Sequence, residues 1–151
     1  MKKIFFTVII FVFVTSVTSA QNIGFIRNAQ SRITANLDPV KAEWEKLLGE
    51  HNIPAVLVNF EIKSGADKVT GKTFYMLLAT NRDKTVKVAR ALKLVNGNLL
   101  FLKGVEQPSG ISMCTGCAMG CGPIILNGVW ECDSDCDKTK ECTKASLSQT
   151  N

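Results

Sequence analysis

"VKVARALKLVNGNLLFL", residues 86–102, holds the turn from which the rest of the chain can be placed. A two-residue type I′ hairpin needs positive φ at both central positions. Asn-Gly tolerates that backbone best, so Asn96-Gly97 joins two antiparallel strands. The turn fixes a register in which Val95 faces Asn98, Leu94 faces Leu99 and Leu92 faces Phe101, with Val86 and Val88 on the same face. The opposite face carries Lys87, Ala89, Ala91 and Lys93 beside Leu100 and Leu102. It is half apolar and calls for a cover, from the N-terminal segment, from the cysteine-rich region or from another molecule. Arg90 falls on the apolar face, where an arginine marks either a buried functional cation or, more commonly, a bulge or edge from which the side chain snorkels.

Upstream, Thr73 to Thr80 is apolar on both faces and reads as a strand inside the sheet, closed by a turn at Asn81 to Lys84. Ser64 to Lys72 is a polar connection. Before it, Val56, Val58, Phe60 and Ile62 alternate with Leu57, Asn59, Glu61 and Lys63, the period-2 pattern of a strand with one face buried. Asp38-Pro39 supplies an N-cap and a proline preset for the first helical turn. Val40, Trp44, Leu47 and Leu48 then share one helical face, and the helix ends between Gly49 and Asn52, ahead of Ile53-Pro54. Residues 21–37 place Ile26, Ala29, Ile33 and Leu37 at helical spacing and read as an N-terminal leader or short helix. The expected class is α+β: over residues 38–110, one helix packed on a four-stranded antiparallel meander. This order of elements resembles cystatin-like folds. The Gln-x-Val-x-Gly inhibitory loop of cystatins has no match, so the resemblance implies an arrangement and no inhibitory activity.

All six cysteines lie in the module 111–142, as Cys114, Cys117, Cys121, Cys132, Cys136 and Cys142, spaced C-x2-C-x3-C-x10-C-x3-C-x5-C. A second Asn-Gly, Asn127-Gly128, sits between Ile124-Ile125-Leu126 and Val129-Trp130 and predicts a small hairpin. So short a module has too little apolar surface to close a core unaided, and an even cysteine count in an exported chain points to disulfides, whose connectivity spacing does not select. Trp130, with Asn127 and Gly128, is the first candidate for contact with a partner; packing of Trp130 onto the body is the competing reading. Zinc held by Cys114, Cys117, Cys132 and Cys136 is an alternative, weakened because the two halves do not repeat one spacing. Cys114-Thr115-Gly116-Cys117 also has the form of a redox dithiol, though Gly120 to Pro123 leaves no room for the following helix that would stabilise a thiolate. Residues 143–151 read as a polar, disordered tail.

Residues 1–20 have the order of a secretory signal: Lys2-Lys3, an apolar run from Ile4 to Val14, then small residues to Ala20. That run is too short to span a bilayer, so the expected product is free of the membrane after cleavage and is extracytoplasmic, in the periplasm or the medium. The chain carries 18 Lys and Arg against 13 Asp and Glu, net +5. Its lysines are not interleaved with stacking aromatics, and nucleic acid is set aside as a partner. The single histidine, His51, closes the predicted helix, and no serine-hydrolase elbow, phosphate loop or zinc-protease motif is present. Asp133, Asp135 and Asp137 alternate around Cys136 without the glycine and distal glutamate of a calcium loop.

With its "MKK" start, short body and terminal "CTGCAMGCGP", the chain resembles small bacterial exported proteins of unknown function that end in a cysteine-rich module. The resemblance implies export and assigns no activity. The function expected is that of a non-enzymatic interaction protein without a cofactor, whose partner is a protein or envelope component. The alternative is an extracytoplasmic dithiol-redox or zinc-binding protein acting through the cysteines.

Overall fold

The computed structural model describes residues 21–102, 108–133 and 142–147. Among them, in chain order, are β1 (Asn22–Arg27), β2 (Gln30–Ile33), α1 (Asp38–Glu50), β3 (Leu57–Ala66), β4 (Thr73–Asn81), β5 (Val86–Val95), β6 (Asn98–Phe101), β7 (Ile111–Thr115), β8 (Pro123–Leu126), β9 (Val129–Cys132) and β10 (Thr143–Leu147). Eight of the strands form one antiparallel sheet, and β8 and β9 form a separate hairpin.

The sheet is forked at β5. One edge of β5 pairs with β4, which pairs in turn with β3. Its other edge is shared: Val86 to Arg90 pair with β7, and Leu92 to Val95 pair with β6. From β6 the sheet continues through β1 to β2, and from β7 to β10. The result is a largely β, nearly barrel-like body with a single described helix. This corrects the α+β expectation of one helix on a four-stranded meander, and with it the cystatin-like arrangement: the meander β3–β6 exists, but four more strands extend it on two arms.

The first of the missed strands lies where a leader or short helix was expected. Asn28 and Ala29 have φ of 50° and 61°, so residues 27–30 make the same two-residue turn as Asn96-Gly97 (50° and 82°) and Asn127-Gly128 (50° and 76°). The weak helical spacing is overridden because a strand here pairs with β6 and lays Ile26 and Ile33 against the core. Gly24 belongs to this pairing; a Cβ there would run into the Arg32 carbonyl oxygen.

The helix starts one residue earlier than the cap reading implied. Leu37 occupies the N-cap position without a side-chain bond, Asp38 is already in the first turn, and the Asn36 side chain accepts the Asp38 N–H at 2.9 Å. At the other end Ile53 N–H donates to Leu48 O and Asn52 N–H to Gly49 O, with Asn52 at φ 57°, a Schellman stop. Trp44 and Leu48 are fully buried, and the Trp44 ring lies 6.1 Å from that of Phe60.

Inside the curled sheet α1 packs on Leu57, Leu77, Val88, Leu99, Ile111 and Met113. Strand β3 enters this core through a bulge between Leu57 and Asn59. The extra residue sends Leu57 inward and leaves Val56 and Val58 exposed, while Phe60 and Ile62 keep the inward phase expected of them. Strand β7 alternates Ile111 and Met113 inward with Ser112 and Cys114 outward. Thr143–Leu147, assigned to a disordered tail, forms β10 by pairing with β7, so order there comes from a tertiary partner that local composition does not reveal.

Arg90 closes the fork. Its guanidinium lies 4.4 Å from the Phe101 ring centroid and donates to Leu102 O at 3.4 Å, while Leu102 N–H donates to Ala91 O at 3.2 Å. The backbone groups freed where β6 and β7 diverge are satisfied in this way. Burial lowers the Arg90 pKa and Glu43 opposes that, on a group whose ordinary value leaves it charged.

Candidate functional site

The half-apolar outer face of the sheet is covered by the cysteine-rich module. Ile125 and Trp130 of the β8–β9 hairpin are buried against Met76 and Leu78 of β4 and Ala89 and Ala91 of β5. Three devices hold the hairpin there. A disulfide joins Cys114 on β7 to Cys132 on β9. Lys68 N–H in the β3–β4 connection donates to Ile125 O at 3.2 Å. The third device is the Asp67 carboxylate, which accepts four backbone N–H groups: Val69 at 2.8 Å, Thr70 at 2.9 Å, Asn127 at 3.1 Å and Gly128 at 2.7 Å. The Thr70 N–H chiefly, with those of Gly128, Val69 and Asn127, holds the Asp67 carboxyl well below the usual carboxylate range against the opposing effect of burial. The exposed Asn-Gly tip is therefore pinned through its backbone, and its amides are already occupied.

Beyond Cys114 the chain crosses a loop before β8, and Lys87 organises it. Lys87 stands opposite Cys114 on the outer face, is largely buried, and donates to the carbonyls of Ala118 at 3.2 Å, Cys117 at 3.5 Å and Gly120. Burial foremost, then the nearby Lys63 and Lys84 ammonium groups, lower its pKa. A second disulfide, Cys121–Cys142, ties the loop to the start of β10, and Glu131 pairs with Lys144 at 3.0 Å.

Between this loop and the outer face of β3 and β4 lies a cleft of about 820 Å³. Met76, Leu78 and Thr80 form its floor, Asn59, Glu61 and Lys63 one wall, and Ala118 to Gly120 with Pro123 and Ile124 the other; Lys84, Lys87 and Asp133 complete it. Glu61 is paired with Lys63 at 3.3 Å, and Asp133 with Lys68 at 3.4 Å.

The residues singled out from sequence have separate fates. Cys114, Cys121, Cys132 and Cys142 form the two bridges above, Cys117 is also disulfide-bonded, and no cysteine among the described residues is free. Cys136 lies outside the described residues. Cys114 is bonded to Cys132, so the two ends of the C-x2-C motif are not joined to each other. The sulfurs proposed as zinc ligands at Cys114, Cys117 and Cys132 are all engaged in disulfides, and no group of three or more metal-ligating side chains occurs among the described residues. Trp130 is 3% exposed, so its ring is occupied in packing, whereas Val129 beside it is 53% exposed. His51 is exposed at the C-cap of α1.

The roles of Asp67 and Lys87 are not legible in the sequence. The one signal for Asp67 was its position at the head of the Asp-Lys-Val-Thr-Gly turn, where an aspartate bonds amides two and three residues on. The signal for Lys87 was a lysine between two core valines, on the face that needed a cover.

No family model matches the chain, and neither a curated protein nor a solved structure is found similar to it. None of the described helices is long and apolar enough to cross a membrane.

Proposed function

We propose that this is an exported, non-enzymatic binding protein whose disulfide-held C-terminal module builds one side of a ligand cleft against the body. The observation that carries the reading is the cleft itself: a concave space of about 820 Å³, within the ~300–1,000 Å³ usual for small-molecule sites. One wall is a β-sheet and the other a loop fixed by a caged lysine and a disulfide, an arrangement that preorganises binding. Both lining carboxylates are engaged with lysines, which suits recognition better than proton transfer. Export is supported by the disulfides, which persist outside the reducing cytosol, and by the sequence of residues 1–20.

The test has two parts. Expressed with residues 1–20 intact in a bacterial host, the protein is expected in the extracytoplasmic fraction, cleaved after Ala20, with no alkylatable thiol by intact mass. Immobilised, it is expected to retain a small-molecule component of envelope or medium extracts. Asn59→Trp, which fills the cleft from its exposed rim, should abolish that retention. Cytosolic accumulation of the unprocessed chain would defeat the export half, and equal retention by Asn59→Trp would defeat the assignment of the site.

A further inference from the structure

We infer that the cleft accepts a small amphipathic anion: an acyl or aryl stem ending in a carboxylate or phosphate. The inference rests on the binding-protein reading above and names its ligand class. Its first support is the charge balance of the lining. Glu61 neutralises Lys63, and Asp133 is neutralised by Lys68, which lies outside the lining. Two cations are left without a carboxylate partner among the described residues, Lys84 and Lys87. Among the described residues Lys87 is held by neutral carbonyls alone, so its N–H groups are used while no described carboxylate cancels its charge. A low-dielectric concave wall concentrates such a field, and an anion entering the cleft meets it without displacing an existing ion pair.

Lys84 is the group that can bond the anion directly. It sits in the β4–β5 turn at φ 60°, a conformation L-residues adopt at a cost, and this turn carries it at the mouth of the cleft. An ammonium acts as a point charge with three donors and does not select planar carboxylate over tetrahedral phosphate, so the shared chemistry is the anionic head. The stem is argued from the remaining lining. Met76 and Leu78 pave the floor, and Met119 on the loop opposite is 85% exposed. A flexible, polarizable side chain held so far into solvent is suited to closing over an apolar surface of variable shape.

The experiment uses the oxidised full chain labelled with ¹⁵N and with ¹³C at the methionine methyls. It is titrated with monomeric octyl phosphate, octanoate, octanol and octyltrimethylammonium, and separately with phosphatidylglycerol vesicles. Both anions should give saturable shifts at Lys84, Met76 and Met119, and the alcohol and the cation should bind at least about tenfold more weakly, the factor that about 1.4 kcal/mol of charge selectivity produces. Lys84→Glu, with an otherwise superimposable spectrum, should weaken octyl phosphate at least about tenfold, and Lys84→Arg should leave it nearly unchanged. Binding of the monomeric anions identifies a free acid as the source; Lys84-dependent binding of vesicles alone identifies a lipid headgroup. Equal binding of octanol, octyltrimethylammonium and octyl phosphate, or no saturable shift at these residues with any probe, overturns the inference. If that occurs while Asn59→Trp still abolishes retention from extracts, the ligand class is wrong and the binding role stands; if both fail, the cleft is not a site.

Discussion

Trp130 offers the sharpest test of how the cleft is built. Its ring is 3% exposed between the hairpin and the outer face of the sheet, yet its indole Nε1 is buried with no hydrogen-bond partner among the described residues. A buried tryptophan removes about 200 Å² of surface from water, which at roughly 25 cal/mol per Å² contributes about 5 kcal/mol. The orphaned N–H takes back about 1–3 kcal/mol of this. Trp130→Ala should therefore lose about 3 kcal/mol, a large part of a typical domain's stability of about 5–15 kcal/mol. Trp130→Phe forfeits only about 1 kcal/mol of burial and relieves the unpaired donor, so it should fall within about 1 kcal/mol of the parent protein. Urea unfolding of the disulfide-intact proteins, followed by far-ultraviolet circular dichroism and by the fluorescence of the remaining Trp44, measures both. If Trp130→Phe costs as much as Trp130→Ala, the indole N–H has a partner and the reasoning is refuted. If Trp130→Ala costs under about 1 kcal/mol, the hairpin is not held by this ring and the refutation is complete.

Other perturbations probe the remaining devices. Replacing both Cys114 and Cys132 by alanine opens a loop spanning 18 residues in sequence and should cost about 3 kcal/mol by chain entropy; amide exchange should quicken in the β8–β9 hairpin before it does in β4. Ala29→Gly relieves a left-handed alanine in the β1–β2 turn and should raise stability by about 1 kcal/mol, read from the urea midpoint at unchanged slope; a loss would mean the turn is not strained. The Asp67 carboxyl has its pKa depressed on folding, so its contribution is complete above the ordinary carboxylate pKa of about 4 and is withdrawn as the pH falls below that. Asp67→Asn should accordingly remove part of the acid-side slope of stability against pH; an unchanged slope in the variant would assign that slope to other groups.

What could be read from the sequence follows turn chemistry closely. Both Asn-Gly turns were placed correctly, and the register from Val95 and Asn98 to Leu92 and Phe101 is the one observed. The third turn of the same geometry is not legible in the sequence, because Ala29 stands where glycine usually does, and residues 21–37 then read as a leader or short helix. Strand β7 was concealed within the cysteine region although Ile111, Ser112, Met113 and Cys114 alternate regularly. Strand β10 and the fork have no local signature, since each depends on a partner far away in the sequence: Thr143 on Thr115, and Lys87 on both Thr80 and the distant Cys114. Of the cleft, the cysteines and the covering hairpin were foreseeable; Asp67 and Lys87 were not, because their roles lie in backbone groups that only the folded chain brings to them.

The fork at β5 also answers how thiols so crowded in sequence find their mates. Half of one strand is the template on which β7 is laid down, and the match of Lys87 to Cys114 decides that this sulfur faces outward, toward the hairpin that carries Cys132. A slip of one residue along β5 would turn Cys114 into the interior and bring Met113 out. Pairing of these two sulfurs in the native structure thus goes with strand alignment: the register that buries Met113 is the one that presents Cys114 to Cys132.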